Sequence, residues 1–171
     1  MAKQVNIVDD ILPHDLCDEL IFKYHNKPSS DRTNHQAWSP DIVDHSTVVL
    51  VNELNNHEMG RIMPFVHDAL PFLKNYYFIG MFYRWTHLSY IPIHNDGHVD
   101  QALTIHLNPD YSVREGGLFL YRINDSDPWT GIEPIHNRLV HTEKADHMVT
   151  PVTSHRPRLS LQLFNLRVGS C

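Results

Sequence analysis

The chain has 171 residues, 42% of them hydrophobic, and carries a formal charge of −6 with 14 histidines. That length makes a single domain over 1–171 the economical reading, able to bury roughly two thirds of its unfolded surface. The acidic balance opposes the cationic field of a non-specific nucleic-acid binder, and no stretch approaches the roughly 20 apolar residues a bilayer requires.

Met1-Ala2-Lys3-Gln4-Val5-Asn6 holds no apolar run of signal-peptide length, and Cys17 and Cys171 stand far apart with no Cys-x-x-Cys. A soluble, cytoplasmic protein without a structural zinc or redox motif is expected. After Asp9-Asp10-Ile11-Leu12-Pro13, the residues Leu16, Leu20, Ile21 and Tyr24 fall at helical spacing and predict an amphipathic helix, with Pro13 tolerated in its first turn. Residues 26–41, with Pro28, Ser29, Ser30 and Pro40, predict a loop, and Thr47-Val48-Val49-Leu50-Val51 predicts a short buried strand. A second helical region is expected over 53–74, bent or interrupted at Pro64 and Pro71.

From residue 77 the texture changes to short apolar or alternating runs between Asn, Asp, Gly and Pro clusters. Strands are predicted over 77–85, 90–94, 101–107, 117–123, 131–135, 138–141, 147–152 and 158–166, which suggests two packed four-stranded antiparallel sheets. With no linker or repeat in the chain, the helical and loop part over 1–76 is expected to cover one sheet of the β core over 77–166. In Arg158-Leu159-Ser160-Leu161-Gln162-Leu163-Phe164 the leucines share one face and Arg158, Ser160 and Gln162 the other. Leu103, Ile105 and Leu107 oppose Thr104 and His106 in the same way. Each polar face meets either water or a polar cavity between the sheets.

Against this background stands His94-Asn95-Asp96, followed by His147 and then Arg158. Two imidazoles and a carboxylate supply three ligands to a divalent iron and leave one face of its octahedron open, although the same ligand types also suit zinc, manganese or nickel. About one His-x-Asp is expected by chance at this composition, and His98-Val99-Asp100 is a second instance, with His141-Thr142-Glu143 a near-match. Residues two apart on an extended segment project to one side, so His94 and Asp96 suit a common ion at a strand end. The strand opening at His147 is expected to have the Arg158 strand beside it, bringing the guanidinium near the metal. Such a planar fork binds a carboxylate through two parallel charge-assisted hydrogen bonds. Arg156 has the same strand parity, but Pro157 intervenes and the clean alternation starts at Arg158.

The distributed text is what carries a resemblance. Phe82-Tyr83, His94-x-Asp96, Leu107-Asn108-Pro109-Asp110-Tyr111, Glu115-Gly116-Gly117-Leu118, Asn137-Arg138-Leu139-Val140 and His147-x-Val149-x-Pro151-Val152 run on to Arg158-x-Ser160-Leu161, and the opening Ile7-Val8-Asp9-Asp10-Ile11-Leu12-Pro13 fits as well. Together they resemble the iron(II)- and 2-oxoglutarate-dependent oxygenases of the prolyl 4-hydroxylase-like branch. The resemblance implies a mainly β fold, a double-stranded β-helix of the jelly-roll or cupin-like kind with flanking helices. It implies Fe(II) on His94, Asp96 and His147, 2-oxoglutarate with its distal carboxylate on Arg158, and Tyr83 and His106 as further co-substrate partners, His106 standing where a tyrosine is common. It further implies O2 as oxidant, succinate and CO2 as co-products of a C–H hydroxylation, and ascorbate as a supporting reductant. Retention of Asp96 favours hydroxylation over halogenation. Members of that branch hydroxylate prolyl residues in proteins or peptides, but this chain has Phe164 where tryptophan is frequent and His155 where glycine often shapes the turn. A protein, peptide or small-molecule substrate is therefore expected, with residues 26–45, Trp38 and the loop at Asp127-Pro128-Trp129 as lids.

Two other classes compete. A cupin-like module that binds metal without oxidative turnover needs the histidines but not Arg158. A nucleic-acid demethylase of the same superfamily needs salt-sensitive binding that the acidic balance disfavours.

Overall fold

The computed structural model describes residues 4–25, 27, 49–96 and 99–166. Apart from Lys27, the loop expected at 26–41, the lid with Trp38, and also His98 and Cys171 lie outside them. Among these described residues ten strands form two antiparallel sheets: β1 (Gln4–Val8), β2 (Val49–Glu53), β3 (Ile79–Trp85), β4 (Ile91–His94), β5 (Val99–His106), β6 (Phe119–Arg122), β7 (Thr130–Ile132), β8 (Leu139–Glu143), β9 (Asp146–Val149) and β10 (Arg158–Leu166). The major sheet has the order β1-β8-β5-β10-β3-β2 and the minor sheet β4-β9-β6-β7. This is the double-stranded β-helix expected from the sequence.

The expected four-plus-four arrangement is corrected to six plus four, because β1 and β2 extend the major sheet at its two edges. Alternation could not reveal β1, whose five residues are all exposed or half-buried. A second correction concerns β9 and β10: β9 pairs with β4 and β6 in the minor sheet, whereas β10 lies between β3 and β5 in the major sheet. The residues between them cross from one sheet to the other, so Arg158 begins a strand of the major sheet rather than lying beside the His147 strand.

Among the described residues, two α-helices pack on the outer face of the major sheet. In α1 (His14–His25) Leu16, Cys17, Leu20 and Tyr24 are buried, at the spacing of one helical face. Pro13 stands just outside, where its carbonyl accepts from the Leu16 and Cys17 amides. α2 (Asn56–Ala69) holds Pro64 within it and stops before Pro71, whose ring restricts Leu70 to a non-helical backbone at φ −129°. The expected helix over 53–74 is thereby shortened at both ends. Buried residues of both helices join Leu103, Ile105, Leu107, Leu159, Leu161 and Leu163 in one apolar core, so the leucine face of β10 is the helix-facing one. Each such side chain contributes about 1.5–3 kcal/mol by its burial. A second core, including Tyr83, Trp85, Phe119 and Val149, lies between the sheets. No described helix is long and apolar enough to cross a membrane.

Candidate metal centre

His94 is the last residue of β4 and lies directly opposite His147 of β9, and directly opposed residues share a face. Their ring centroids are 4.1 Å apart. Asp96 lies beyond the end of β4, not on it, and the strand geometry expected for the doublet is corrected accordingly. Its backbone takes φ 49°, a left-handed conformation that aspartate tolerates better than most residues. The turn brings Asp96 Oδ1 to 3.5 Å from His94 Nε2 and Oδ2 to 3.2 Å from His147 Nε2. The ligand atoms of these three residues all lie within 4.8 Å of one another, and no other such group occurs among the described residues.

The hydrogen bonds of the two rings fix what faces inward. His94 Nδ1–H donates to the Pro92 carbonyl at 2.8 Å and His147 Nδ1–H to the Ala145 carbonyl at 2.9 Å. With the proton on Nδ1, each neutral ring turns an Nε2 lone pair towards a carboxylate oxygen. Lone pair against carboxylate is repulsive unless a cation, either a proton or a metal, stands between them. Burial opposes charge on His147, yet the Asp96 carboxylate and the Ala145 carbonyl prevail and leave its pKa above the usual value. Separations of 3.2 and 3.5 Å are close to the roughly 3 Å between neighbouring corners of an octahedron with bonds of about 2.1 Å. The donor set fits a divalent metal.

The three residues open on a cavity with an empty volume of about 410 Å³ including its mouth. Its walls come from both sheets. Tyr83, Trp85, Thr104 and Gln162 line it from the major sheet, Phe119 and Val149 from the minor one. Phe119 stacks on His147 at 5.2 Å between centroids. Thr104 Oγ1–H donates to Gln162 Oε1 at 2.8 Å, while Ser160 Oγ accepts from Trp85 Nε1–H at 3.0 Å. The polar face of β10 therefore looks into a polar cavity rather than bulk water.

Arg158 begins β10 and is 1% exposed. Its guanidinium lies over the Trp85 ring, 5.1 Å from the centroid. Burial lowers its pKa to about 10. One nitrogen, Nη2, is 3.3 Å from His106 Nδ1; Nε and Nη1 are buried with no hydrogen-bond partner among the described residues. His106, also 1% exposed, is held well below the usual pKa by its burial first and by the Arg158 and Arg138 charges next. Arg156 behaves differently: it bonds to the Pro109 carbonyl and its side chain is 44% exposed. The structure thus separates the two arginines that the sequence left as rivals.

Glycine chemistry supports this placement. Gly117 has φ +63°, and a Cβ on it would stand 2.7 Å from Arg158 Cδ, so only glycine lets the arginine stem pass. Gly116, at φ +76°, would place a Cβ 2.2 Å from the Pro151 carbonyl oxygen.

Of the sequence-predicted residues, His94, Asp96 and His147 come together and Tyr83 lines the same cavity, with Trp85 linking it to Arg158 and His106. His141 does not join them: it is fully buried between Asn6 and Gln101. Asp100 sits on β5. Trp85 and Phe119 were missed, although Trp85 shares strand parity with Tyr83 and a two-residue period would have found it.

No family model and no curated relative matches the chain. Solved structures do. A Pseudomonas putida prolyl-4-hydroxylase superposes with a TM-score of 0.70 at 17% identity, covering 98% of this chain and 94% of that one. A Trichoplax adhaerens prolyl hydroxylase, solved with a hypoxia inducible factor oxygen degradation domain peptide fragment, gives 0.67 at 15% identity over 95% and 83%. The viral collagen prolyl hydroxylase of Paramecium Bursaria Chlorella virus-1, in a 2OG complex, gives 0.69 at 16% over 94% of each chain. Over nearly its whole length the chain therefore has the double-stranded β-helix fold of the prolyl hydroxylases and related 2OG-Fe(II) oxygenases.

Proposed function

We propose that the chain is a single-domain Fe(II)- and 2-oxoglutarate-dependent dioxygenase that hydroxylates an unactivated C–H bond, with a prolyl residue in a protein or peptide as its leading substrate class. One observation carries the reading: a two-histidine, one-aspartate ligand set opens on a cavity whose major-sheet wall includes Trp85, and a buried arginine with unfilled donors lies over that same Trp85 ring. His94, Asp96 and His147 hold the metal, and Arg158, with Tyr83 and His106, receives the co-substrate. A metal-only module has no use for a buried, unpaired guanidinium, which is costly to keep dry.

Bound iron with 2-oxoglutarate and O2 supplies the oxidative decarboxylation to succinate and CO2 that drives hydroxylation. The chain's own part is positional. Carbonyl-anchored Nδ1–H groups keep both Nε2 atoms facing inward, Phe119 stacked on His147 fixes that ring, and the apolar side chains between the sheets exclude water. The peptide seen with the Trichoplax hydroxylase supports a peptide substrate on this scaffold. Ascorbate is proposed as a supporting reductant and the cytoplasm as the setting.

The test is anaerobic loading with Fe(II) and 2-oxoglutarate, then oxygen, with succinate measured with and without proline-containing peptides. Succinate without peptide is expected, and more with the right peptide. Asp96→Ala is expected to abolish succinate formation at unchanged fold; undiminished turnover in that variant rejects the ligand set.

A further inference from the structure

We infer that Gln162 serves the open face of the metal: its side-chain amide donates an N–H to the acceptor atom that a ligand places there, and so helps to set which small ligands the metal keeps. The inference rests on the reading that His94, Asp96 and His147 hold a metal.

The surroundings of the amide leave its donor one direction. On the inner face of the major sheet Gln162 stands opposite Thr104 on one side and Met81 on the other, with Ser160 and Phe164 two residues away along β10. Thr104 Oγ1–H donates to Gln162 Oε1 at 2.8 Å, which turns the oxygen end of the amide towards β5. Gln162 Nε2–H donates to Ser160 Oγ at 3.4 Å. That oxygen already accepts from Trp85 Nε1–H at 3.0 Å. An amide nitrogen carries two protons, so one is left over. Met81 and Phe164 offer it no strong acceptor. The direction that remains is ahead, into the cavity that Gln162 lines together with His94, Asp96 and His147. Facing sheets lie about 10 Å apart, so a glutamine from one and histidines from the other meet between them.

A glutamine only 8% exposed that keeps a spare donor is costly in a dry interior. The two histidines do not relieve it, because their Nε2 lone pairs serve the metal. An anion bound on the metal's open face does, and a hydrogen bond to a charged acceptor is stronger than one between neutral groups.

Azide, a small monodentate anion, probes that face without turnover. Titrated into the Co(II)-loaded protein and followed by visible absorption, it is expected to bind about tenfold or more weakly in Gln162→Leu, at unchanged Co(II) affinity. Gln162→Glu keeps an acceptor for Thr104 and the shape of the side chain but replaces the N–H donor by a carboxylate, and is expected to weaken azide further still. A merely structural role predicts the reverse order, with the Glu variant close to the parent. Equal azide affinity in the parent and the Leu variant, or a Glu variant that matches the parent, overturns the inference. Should the variants not fold, the unsubstituted Zn(II)-loaded protein decides. On adding azide, one of the two Gln162 amide proton signals is expected to shift, while the other, held by Ser160, stays. Neither signal moving at saturation overturns the inference as well. A protein that binds no Co(II) rejects the metal reading itself, and the inference with it.

Discussion

Single side chains differ sharply in how their environment sets their charge. His141 accepts from Asn6 Nδ2–H at Nδ1 and donates through Nε2–H to Gln101 Oε1, tying β1, β8 and β5 together with a neutral ring. Burial lowers its pKa to about 4. The sign follows directly: between an unfolded value near 6.5 and the folded value, the unfolded chain binds the extra proton. The stability this neutral ring supports is therefore intact above about pH 6.5, falls as the pH drops, and levels off below about 4. Between pH 6.5 and 5 the loss from this residue is about 2 kcal/mol. His141→Gln, which keeps one donor and one acceptor, is expected to flatten that part of the acid limb in paired denaturant melts. An unchanged slope would mean that the ring is not held neutral. Taking the difference between variant and parent removes the opposite contribution of His147, whose pKa is raised.

Elements are joined by a few polar side chains that hydrophobic periodicity does not register. Asn55 Oδ1 accepts from the Glu58 amide at 3.0 Å, and Glu58 Oε2 accepts from the Asn55 amide at 2.8 Å, closing a capping box on α2. The same Glu58 carboxylate accepts from Tyr24 Oη–H at 2.7 Å and pairs with Lys23, so it also locks α1 to α2. Asn55→Ala is expected to cost about 1 kcal/mol, the loss of a cap. Glu58→Ala strands the Tyr24 hydroxyl as well and is expected to cost about 2–3 kcal/mol; equal losses in urea melts would reduce Glu58 to a cap. The reach of the sequence ends at a similar point. Strands β3 to β10 were legible from short apolar or alternating runs between turn residues, and the leucines of β10 named its helix-facing side. Period two tells inside from outside but not which sheet a strand joins, so β9 and β10 were wrongly set side by side. The edge strand β1 has no buried face to declare itself. At the site, the grouping of His94, Asp96 and His147 was legible from residue types and order, whereas the left-handed turn at Asp96 and the stacking of Trp85 on Arg158 depend on backbone and contacts that no local pattern encodes.

The whole molecule divides the work between its sheets. The minor sheet carries His94 and His147, with Asp96 just beyond β4, and the major sheet carries Tyr83, His106 and Arg158. On the proposed function a metal alone would tie β4 to β9, whereas a 2-oxo acid held by the metal at one end and Arg158 at the other would span the sandwich. A ligand stabilises only the state that binds it, by about 2.7 kcal/mol at a hundred times its Kd, and a domain of this size gains about 2–4 °C per kcal/mol. Mn(II) is therefore expected to raise Tm, and 2-oxoglutarate added to the Mn(II) form to raise it by a further 5–10 °C or so. Asp96→Ala removes the first increment and most of the second, because the chelate goes with the metal. Arg158→Met leaves the first and removes most of the second. If 2-oxoglutarate instead adds nothing to the Mn(II) form, the two sheets are not bridged, and a metal-binding module without the oxygenase reaction becomes the better account of the same three ligands.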